Sequence, residues 1–134
     1  MTLKIKKEGL KDIIMHCRKE FPLEACGILL GKRDNNDRIV ERIYKTENIL
    51  RSSTHFQINP EEQLNIFIKA DKNGLDIIGF YHSHPSFGVK ASKNDISSAN
   101  YPDCIYLIYS NRDNEYKCYL WNGEKFDSEN IEEI

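Results

Sequence analysis

The stretch GFYHSHPSFGVKASKND, residues 79–95, contains two histidines separated by one residue at the end of an apolar run. The residues LDIIGFY that lead into it are mostly apolar and rich in β-forming types, which predicts a strand entering the histidine pair. Residues two apart on a strand point to the same face, so the imidazoles of His82 and His84 can converge on one point. Pro85 then ends the strand and begins a loop.

The loop leads to Ser92 and, three residues further on, to Asp95. Ser92 is typical of a helix N-cap, and Asp95 then lies in the first turn of a short helix extending to about Asn100. Two neutral imidazoles and one carboxylate make a suitable ligand set for a catalytic Zn²⁺ with its fourth position left for water. Such a centre produces a hydroxide-like nucleophile near neutral pH and polarises a carbonyl group.

This stretch lacks a general base, and the candidate lies far upstream. Glu24 stands in FPLEACGILLG, residues 21–31, directly before a predicted buried strand over residues 25–31. From the mouth of that strand its side chain can reach across to a site. Taken alone, an acidic residue in this position is more often a solvated loop carboxylate, but the zinc-binding pattern downstream favours a catalytic role.

These residues together resemble the signature of the JAMM (MPN+) metalloprotease family. That signature is an upstream glutamate, then His-Ser/Thr-His-Pro, six residues, Ser or Thr, two residues and Asp, and this chain has the same spacing. Its positions are filled by Glu24, His82, Ser83, His84, Pro85, Ser92 and Asp95. The context Pro22–Gly31 is also typical, and the similarity extends from the first predicted helix to near Ser110. The loop Ser86–Ala91 departs from the pattern without touching a ligand position.

The resemblance implies a role for each polar residue of the signature. The expected Zn²⁺ ligands are His82, His84 and Asp95. Glu24 would accept a proton from the nucleophilic water and later donate it to the leaving amine. Ser92 would donate a hydrogen bond to the tetrahedral oxyanion, worth about 3 kcal/mol, whereas a plain N-cap is worth about 1 kcal/mol; both roles can hold at once. Ser83 points away from the ligands and is interpreted as structural.

The resemblance also implies a function. We expect a zinc-dependent metalloprotease or isopeptidase that hydrolyses bonds after the C-terminal Gly-Gly of a small ubiquitin-like or sulfur-carrier protein. The short loop between Pro85 and Ser92 leaves little room for the insertions of polyubiquitin-cutting members, so the compact bacterial and archaeal members are the closer comparison. Two alternatives stay open: a zinc amidohydrolase acting on a small-molecule or short-peptide amide, and a non-catalytic MPN scaffold. The oligomeric state is left open.

The composition fits a globular protein of one domain, residues 1–134. Hydrophobic residues make up 40% and charged residues 30%, and 19 basic against 21 acidic residues give a net charge of −2, which offers no support for nucleic-acid binding. No apolar run approaches the roughly 18 residues of a membrane span, and the N-terminus does not read as a signal peptide. A cytoplasmic protein is therefore expected. Without a C-x-x-C motif its four cysteines are expected to be reduced and buried, although Cys26 could face the site.

Two further helices follow from the periodicity of apolar residues. An amphipathic helix is expected over residues 7–20, with His16 outside its apolar stripe and facing solvent. A second helix should begin at residues 59–60 and end near Gly74. Its apolar stripe is expected to comprise Leu64, Phe67 and Ile68. His55 is interpreted as structural or substrate-facing, because the ligand set is complete without it.

The strands complete the expected fold, an α/β domain with a curved mixed β-sheet flanked by helices. Short strands are predicted near residues 3–5, 25–31, 38–45, 54–58, 75–84, 104–109 and 116–121. The first is expected at a sheet edge, and the acidic end 127–134 is expected to fray. In the central strand Ile78 and Phe80 should share one face, and Gly79 suggests a close approach of either a backbone or a helix. The resemblance implies the MPN fold, which is cytidine-deaminase-like.

Overall fold

The computed structural model describes residues 1–134 as seven strands and three helices. The strands are β1 (Thr2–Ile5), β2 (Cys26–Asp34), β3 (Asp37–Thr46), β4 (Asp76–His84), β5 (Ile105–Ser110), β6 (Glu115–Trp121) and β7 (Phe126–Glu133). The helices are α1 (Lys7–Glu20), α2 (Pro60–Lys72) and α3 (Lys93–Ser98). The predicted elements are confirmed to within a few residues, with the exceptions described below.

The strands form one mixed sheet in the order β1-β3-β2-β4-β5-β6-β7, which closes on itself because β1 also pairs with β7. The pairs β1–β3, β1–β7 and β4–β5 are parallel, and the others are antiparallel. Two predictions are wrong here. The first strand is not at an edge, and residues 126–133 do not fray, because β1 and β7 saturate each other's backbone groups and thereby remove both edges.

Helices cover both faces of this sheet, as predicted. The α1 helix packs Leu10, Ile13 and Cys17 into a core that it shares with β1 and with one face of the central strands. The α2 helix packs Ile66 and Ala70 into a second core on the opposite face. The strand β4 lies between the two cores and is buried from Ile78 to His84. This burial on both sides explains why its sequence is apolar without alternation.

The strand β4 contains a bulge that overturns the predicted alternation. Residues 29–30 of β2 pair with Gly79 and Ile77, which leaves Ile78 as an extra residue. As a result Ile78 joins the core under α1, whereas Ile77 and Phe80 face the core under α2. The prediction that Ile78 and Phe80 share a face is therefore wrong. The bulge precedes the histidine pair and does not disturb its alternation.

The predicted close approach at Gly79 is confirmed. A Cβ atom built there would lie 1.9 Å from the carbonyl oxygen of Ile105 on β5, and Gly79 has a φ of +155°. Only glycine fits such a contact without moving the neighbouring strand. The parallel pair β4–β5 can therefore form close beside the histidines.

Three local predictions are corrected by the packing. His16 is buried at 8% exposure rather than solvent-facing, because the hydroxyl of Tyr81 reaches it from β4 at 2.7 Å. In α2, Leu64 and Ile68 are exposed, and the helix presents Ile66 instead to the sheet. Residues 54–58 form no strand; their only ladder contact is an isolated bridge from Ile58.

The remaining expectations concern helix ends and cysteines. The α2 helix begins as predicted, with the Asn59 side chain accepting a hydrogen bond from the Glu61 amide, and Gly74 follows its end at a φ of +63°. All four cysteines are buried free thiols, as expected. None of the three helices has the length and apolar character needed to cross a membrane.

Candidate metal centre and active site

The end of β4 and the start of α3 bring three potential metal ligands together. His82 and His84 share one face of β4, as their spacing predicts, and Asp95 approaches both from the first turn of α3. The Nε2 atom of His82 lies 2.9 Å from Asp95 Oδ1, and that of His84 lies 2.9 Å from Asp95 Oδ2. All three ligand atoms lie within 4.8 Å of one another, and all three residues are buried.

The surroundings of His84 fix which ring nitrogen faces the carboxylate. Its Nδ1 atom lies 2.7 Å from the carbonyl oxygen of Gly88, which can only accept a hydrogen bond. Nδ1 therefore carries a proton, and in the tautomer that is protonated only there the lone pair of Nε2 faces Asp95. The ring of Phe87 stacks on His84 with centroids 4.2 Å apart and restricts its rotation. Such outer contacts orient metal-binding histidines in proteins.

His82 provides the test of whether this group fits a metal ion. Both of its ring nitrogens are buried without an aligned hydrogen-bond partner, although Nε2 is close to Asp95. Two imidazole lone pairs and a carboxylate converging in a buried space repel each other unless a cation or additional protons lie among them. The set therefore fits a divalent metal that accepts nitrogen and oxygen ligands. The three residues can hold a metal ion, as predicted.

Asp95 is positioned by the helix that it begins. The Ser92 hydroxyl oxygen accepts from the Asp95 amide at 3.0 Å, and Asp95 Oδ2 accepts from the Ser92 amide at 2.9 Å. The two bonds form a complete capping box, which confirms the predicted N-cap at Ser92 with Asp95 in the first turn. Burial opposes ionisation of Asp95, but the positive charge of a protonated His82, hydrogen bonds donated by His82 and His84 when their Nε2 atoms carry protons, and the Ser92 amide outweigh it and hold the pKa of this carboxyl well below its usual range. Asp95 is therefore a carboxylate.

The pairing of β2 with β4 places Glu24 beside the histidines. Cys26 pairs with His82 in this antiparallel ladder, and the amide of Ser83 donates to the carbonyl of Ala25 at 3.1 Å. Glu24 directly precedes Ala25, and its carboxyl lies close enough to Asp95 for the negative charge of Asp95 to act on it. The sheet thus brings together the upstream glutamate and the histidine pair.

Glu24 occupies a site that favours its protonated form. It is 2% exposed, and its Oε1 atom has no hydrogen-bond partner. Burial, with a further contribution from the negative charge of Asp95, raises the pKa of Glu24 to about 8. A buried carboxyl with a pKa near neutrality is suited to accept and return a proton.

The raised pKa of Glu24 predicts a pH-dependent stability of the metal-free protein. Below its ordinary pKa of 4.5 the carboxyl is protonated in both the folded and the unfolded states. Between that value and about 8, only the folded state keeps the proton, so the free energy of unfolding falls as pH rises. A Glu24→Gln variant should lack this loss. Urea unfolding in the presence of chelator would measure the free energy of unfolding at pH 5 and at pH 8. Relative to the wild type, the free energy of unfolding of the variant should increase by about 3 kcal/mol between these two pH values. A difference between the two proteins that does not change with pH would contradict the burial of an ionisable Glu24.

Comparison with known proteins identifies the family of this chain. Residues 6–122 match the family model described as prokaryotic homologs of the JAB domain. The chain belongs to this family. It is 30% identical to a desampylase of Haloferax volcanii over 129 residues, which cover 92% of this chain and 91% of the relative. It is 32% identical to a CysO-cysteine peptidase of Mycobacterium tuberculosis over 112 residues, covering 84% and 75% respectively.

A solved structure of similar sequence agrees with the fold. A protein of Desulfitobacterium hafniense, determined in solution, superposes with a TM-score of 0.89 at 35% identity. The superposition covers 98% of this chain and 92% of that one. The predicted family and its fold, a mixed sheet with helices on both faces, are thus confirmed.

A cavity of about 560 Å³ leads to the potential metal ligands of this JAB domain. His82 and Asp95 lie in its wall, and aromatic side chains, among them Phe80 and Tyr101, line the rest together with amide side chains. His55 also lines the cavity and is exposed, so of the two interpretations of this residue the substrate-facing one fits its position. The Cys26 thiol is fully buried, 3.3 Å from the Thr46 hydroxyl, and does not open to this cavity.

Several residues around the site were not recognised in the sequence. Phe56 stacks on His82 with ring centroids 4.6 Å apart, and the Gly88 carbonyl holds His84. Asn48, 7% exposed, uses both polar atoms of its side-chain amide to bind the loop that follows β3. No local pattern marks these residues, since their importance depends on neighbours distant in the chain. The unusual sequence Ser86–Ala91 is the only local signal for the loop that contains Gly88.

Proposed function

We propose that this chain is a single-domain, zinc-dependent peptidase, residues 1–134, that hydrolyses an amide or isopeptide bond at the C-terminus of a small ubiquitin-like or sulfur-carrier protein. The observation that carries this proposal is the convergence of His82, His84 and Asp95 on one buried point, next to the unpartnered carboxyl of Glu24. A binding scaffold has no need for such a costly cluster of buried polar groups.

The relatives support the reaction class. The proteins named desampylase and CysO-cysteine peptidase are similar to this chain over most of its length. The prediction of a hydrolase of this family is therefore confirmed. The identity of the metal is part of the proposal: two imidazoles and one carboxylate, with room for one more ligand, are typical of catalytic zinc.

The mechanism assigns separate tasks to the residues of the site. His82, His84 and Asp95 hold the metal, and the Gly88 carbonyl keeps His84 in the tautomer that binds it. When bound, Zn²⁺ supplies Lewis acidity, which activates a water molecule and polarises the scissile carbonyl. Glu24 removes a proton from the attacking water and delivers it to the leaving amine. Burial of Glu24 keeps the proton on this carboxyl between the two transfers.

The Ser92 hydroxyl is free to donate a hydrogen bond in the transition state. In the capping box its oxygen accepts from the Asp95 amide, and the hydroxyl makes no other hydrogen bond in the fold. The same group can therefore cap α3 and donate to the oxyanion that forms on the carbonyl, a contact worth about 3 kcal/mol. Both roles predicted for Ser92 are compatible with this geometry.

The Gly-Gly tail is the substrate feature that suits the approach to the ligands. A glycine pair lets the extended backbone pass close to protein backbone and buried ligands without side-chain clashes. The aromatic and amide side chains of the cavity can contact the apolar and peptide groups of the residues before the pair. The desampylase and the CysO-cysteine peptidase support a ubiquitin-like or sulfur-carrier protein as the carrier of this tail.

The decisive experiment is a mass-shift assay. A ubiquitin-like protein from the same genome, extended by one or several residues past its Gly-Gly, is incubated with the zinc-loaded protein, with and without chelator. We expect chelator-sensitive loss of the extension directly after Gly-Gly, restored by added Zn²⁺. A matched substrate with Ala-Ala in place of Gly-Gly should be cut at least about tenfold more slowly, because alanine keeps the extended backbone from approaching protein backbone as closely as glycine does.

The same assay distinguishes the alternatives. Equal cleavage of short peptide amides that lack the carrier protein would favour the small-amide hydrolase instead. Full zinc occupancy without cleavage of an extended, an isopeptide-linked or a short-peptide substrate would contradict the proposal and favour the scaffold.

A further inference from the structure

The direction of the Glu24 side chain depends on the peptide group that follows it. Rotation of the Glu24–Ala25 peptide changes ψ of Glu24 and moves its main chain relative to β4. In this protein the carbonyl oxygen and the amide of that one peptide group are each bonded to a different buried side chain. Neither partner touches the metal ligands through its own side chain, and the mechanism above uses neither of them.

Ser83 is the partner on the amide side. Its hydroxyl oxygen accepts from the Ala25 amide at 2.8 Å, and its own amide donates to the Ala25 carbonyl at 3.1 Å. Ser83 is fully buried and lies between His82 and His84, on the face of β4 opposite to the imidazoles. An alternating strand thus directs two side chains to the metal and the one between them to the backbone beside the base.

Asn48 is the partner on the carbonyl side. Its Nδ2 atom donates to the Glu24 carbonyl at 3.0 Å and to the His55 carbonyl at 2.9 Å. Its Oδ1 atom accepts from the amides of Leu50 and Gln57. The Asn48 side chain therefore links the Glu24–Ala25 peptide group by hydrogen bonds to the loop of residues 50–57, which lines the cavity.

We propose that Ser83 and Asn48 are positioning residues for catalysis, which act by fixing the Glu24–Ala25 peptide and thereby the general base. This inference rests on the proposed function only in assigning Glu24 as the base. The Glu24 amide is also held, by the Ser52 carbonyl at 2.8 Å, so the amide and the carbonyl of Glu24 and the amide of Ala25 are all bonded. A buried carboxyl without a hydrogen-bond partner of its own is held in place through its backbone.

The first test compares Ser83→Ala with Ser83→Thr in the zinc-loaded protein. Ser83→Ala removes the acceptor, so kcat should fall by about 10- to 100-fold as the base shifts, whereas KM and zinc content stay unchanged. Ser83→Thr keeps the hydroxyl and should restore most of the rate. Ile13→Val, which trims the core under α1 without touching this peptide, should lower stability while kcat is retained. An equal fall of kcat in Ile13→Val and Ser83→Ala would overturn the proposal.

The second test asks whether Ser83 acts through Glu24. In a Glu24→Gln background, Ser83→Ala should cause no further loss of the residual rate, because the group that it positions is gone. A full additional loss would overturn the positioning role but would leave the proposed function intact. Undiminished turnover by Glu24→Gln alone would instead remove the base on which both rest.

The third test reads the hydrogen bond without activity. The Ala25 amide should exchange slowly with solvent in the zinc-loaded wild type and in Ser83→Thr, and markedly faster in Ser83→Ala. Fast exchange in the folded wild type would overturn the proposal even if Ser83→Ala failed to fold.

Asn48→Asp tests the other positioning residue. This variant keeps the acceptor for the Leu50 and Gln57 amides but loses the donor to the Glu24 carbonyl, so kcat should fall as it does in Ser83→Ala. An unchanged kcat would overturn the role proposed for Asn48.

Discussion

Replacing Glu24 by glutamine should abolish catalysis without removing the metal. The amide has nearly the same size as the carboxyl but cannot take a proton from water, so kcat should fall by about 10³-fold. Zinc content and the folded structure should be retained, because Glu24 makes no contact that holds His82, His84 or Asp95. The measurement is kcat on the Gly-Gly-extended substrate, together with metal analysis of the same preparation.

A matched control for this variant is Glu20→Gln. Glu20 is a nearby carboxylate on the last turn of α1 that contacts His16 at 3.6 Å and plays no part in the mechanism. Its variant should keep full activity. If Glu24→Gln turned over substrate at the wild-type rate, another group would have to be the base. If it lost its zinc, Glu24 would belong to the metal site rather than to proton transfer.

Replacing Asp95 by alanine should cost the protein its metal. The carboxylate is the only negatively charged group in the ligand set, and without it two neutral imidazoles remain. Contacts outside the ligand set alone are worth about 10–100-fold in metal affinity, so the loss of a ligand should weaken binding by more than about 100-fold. Competition with a chromogenic chelator would measure this affinity directly.

The control must separate loss of the ligand from loss of the helix cap, since Asp95 serves both. Ser92→Ala removes the other half of the capping box and leaves the carboxylate in place. It should cost about 1 kcal/mol of stability and change zinc affinity by no more than a few fold. Stoichiometric zinc at unchanged affinity in Asp95→Ala would show that a different residue is the third ligand.

Much of the candidate site could be predicted because its signals are local. Alternation on a strand puts His82 and His84 on one face whatever the rest of the chain does. The spacing of Ser92 and Asp95 encodes a capping box within a single helical turn. The helix α1 could be recognised for the same reason, since its stripe is a property of consecutive residues.

The wrong predictions concern features of the fold that depend on contacts between residues far apart in the chain. His16 lies outside the apolar stripe of α1, yet the Tyr81 hydroxyl gives its ring a buried partner. The acidic segment 127–134 resembles a frayed end, but pairing with β1 and β6 makes residues 126–133 a strand. The bulge at Ile78 shifts the alternation in β4, because the register with β2 is set by many contacts at once.

The sequence by itself determined the chemistry: which side chains can bind a metal, which carboxyl can act as base, and which family they belong to. Only the tertiary structure decided that Glu24 lies near Asp95 and that Asn48 and Ser83 hold the peptide that follows it. The physical reason is the range of the interactions. Ligand spacing and helix caps depend on neighbouring residues, whereas the position of the base depends on strand pairing between segments far apart in the chain, which forms only when the whole core packs.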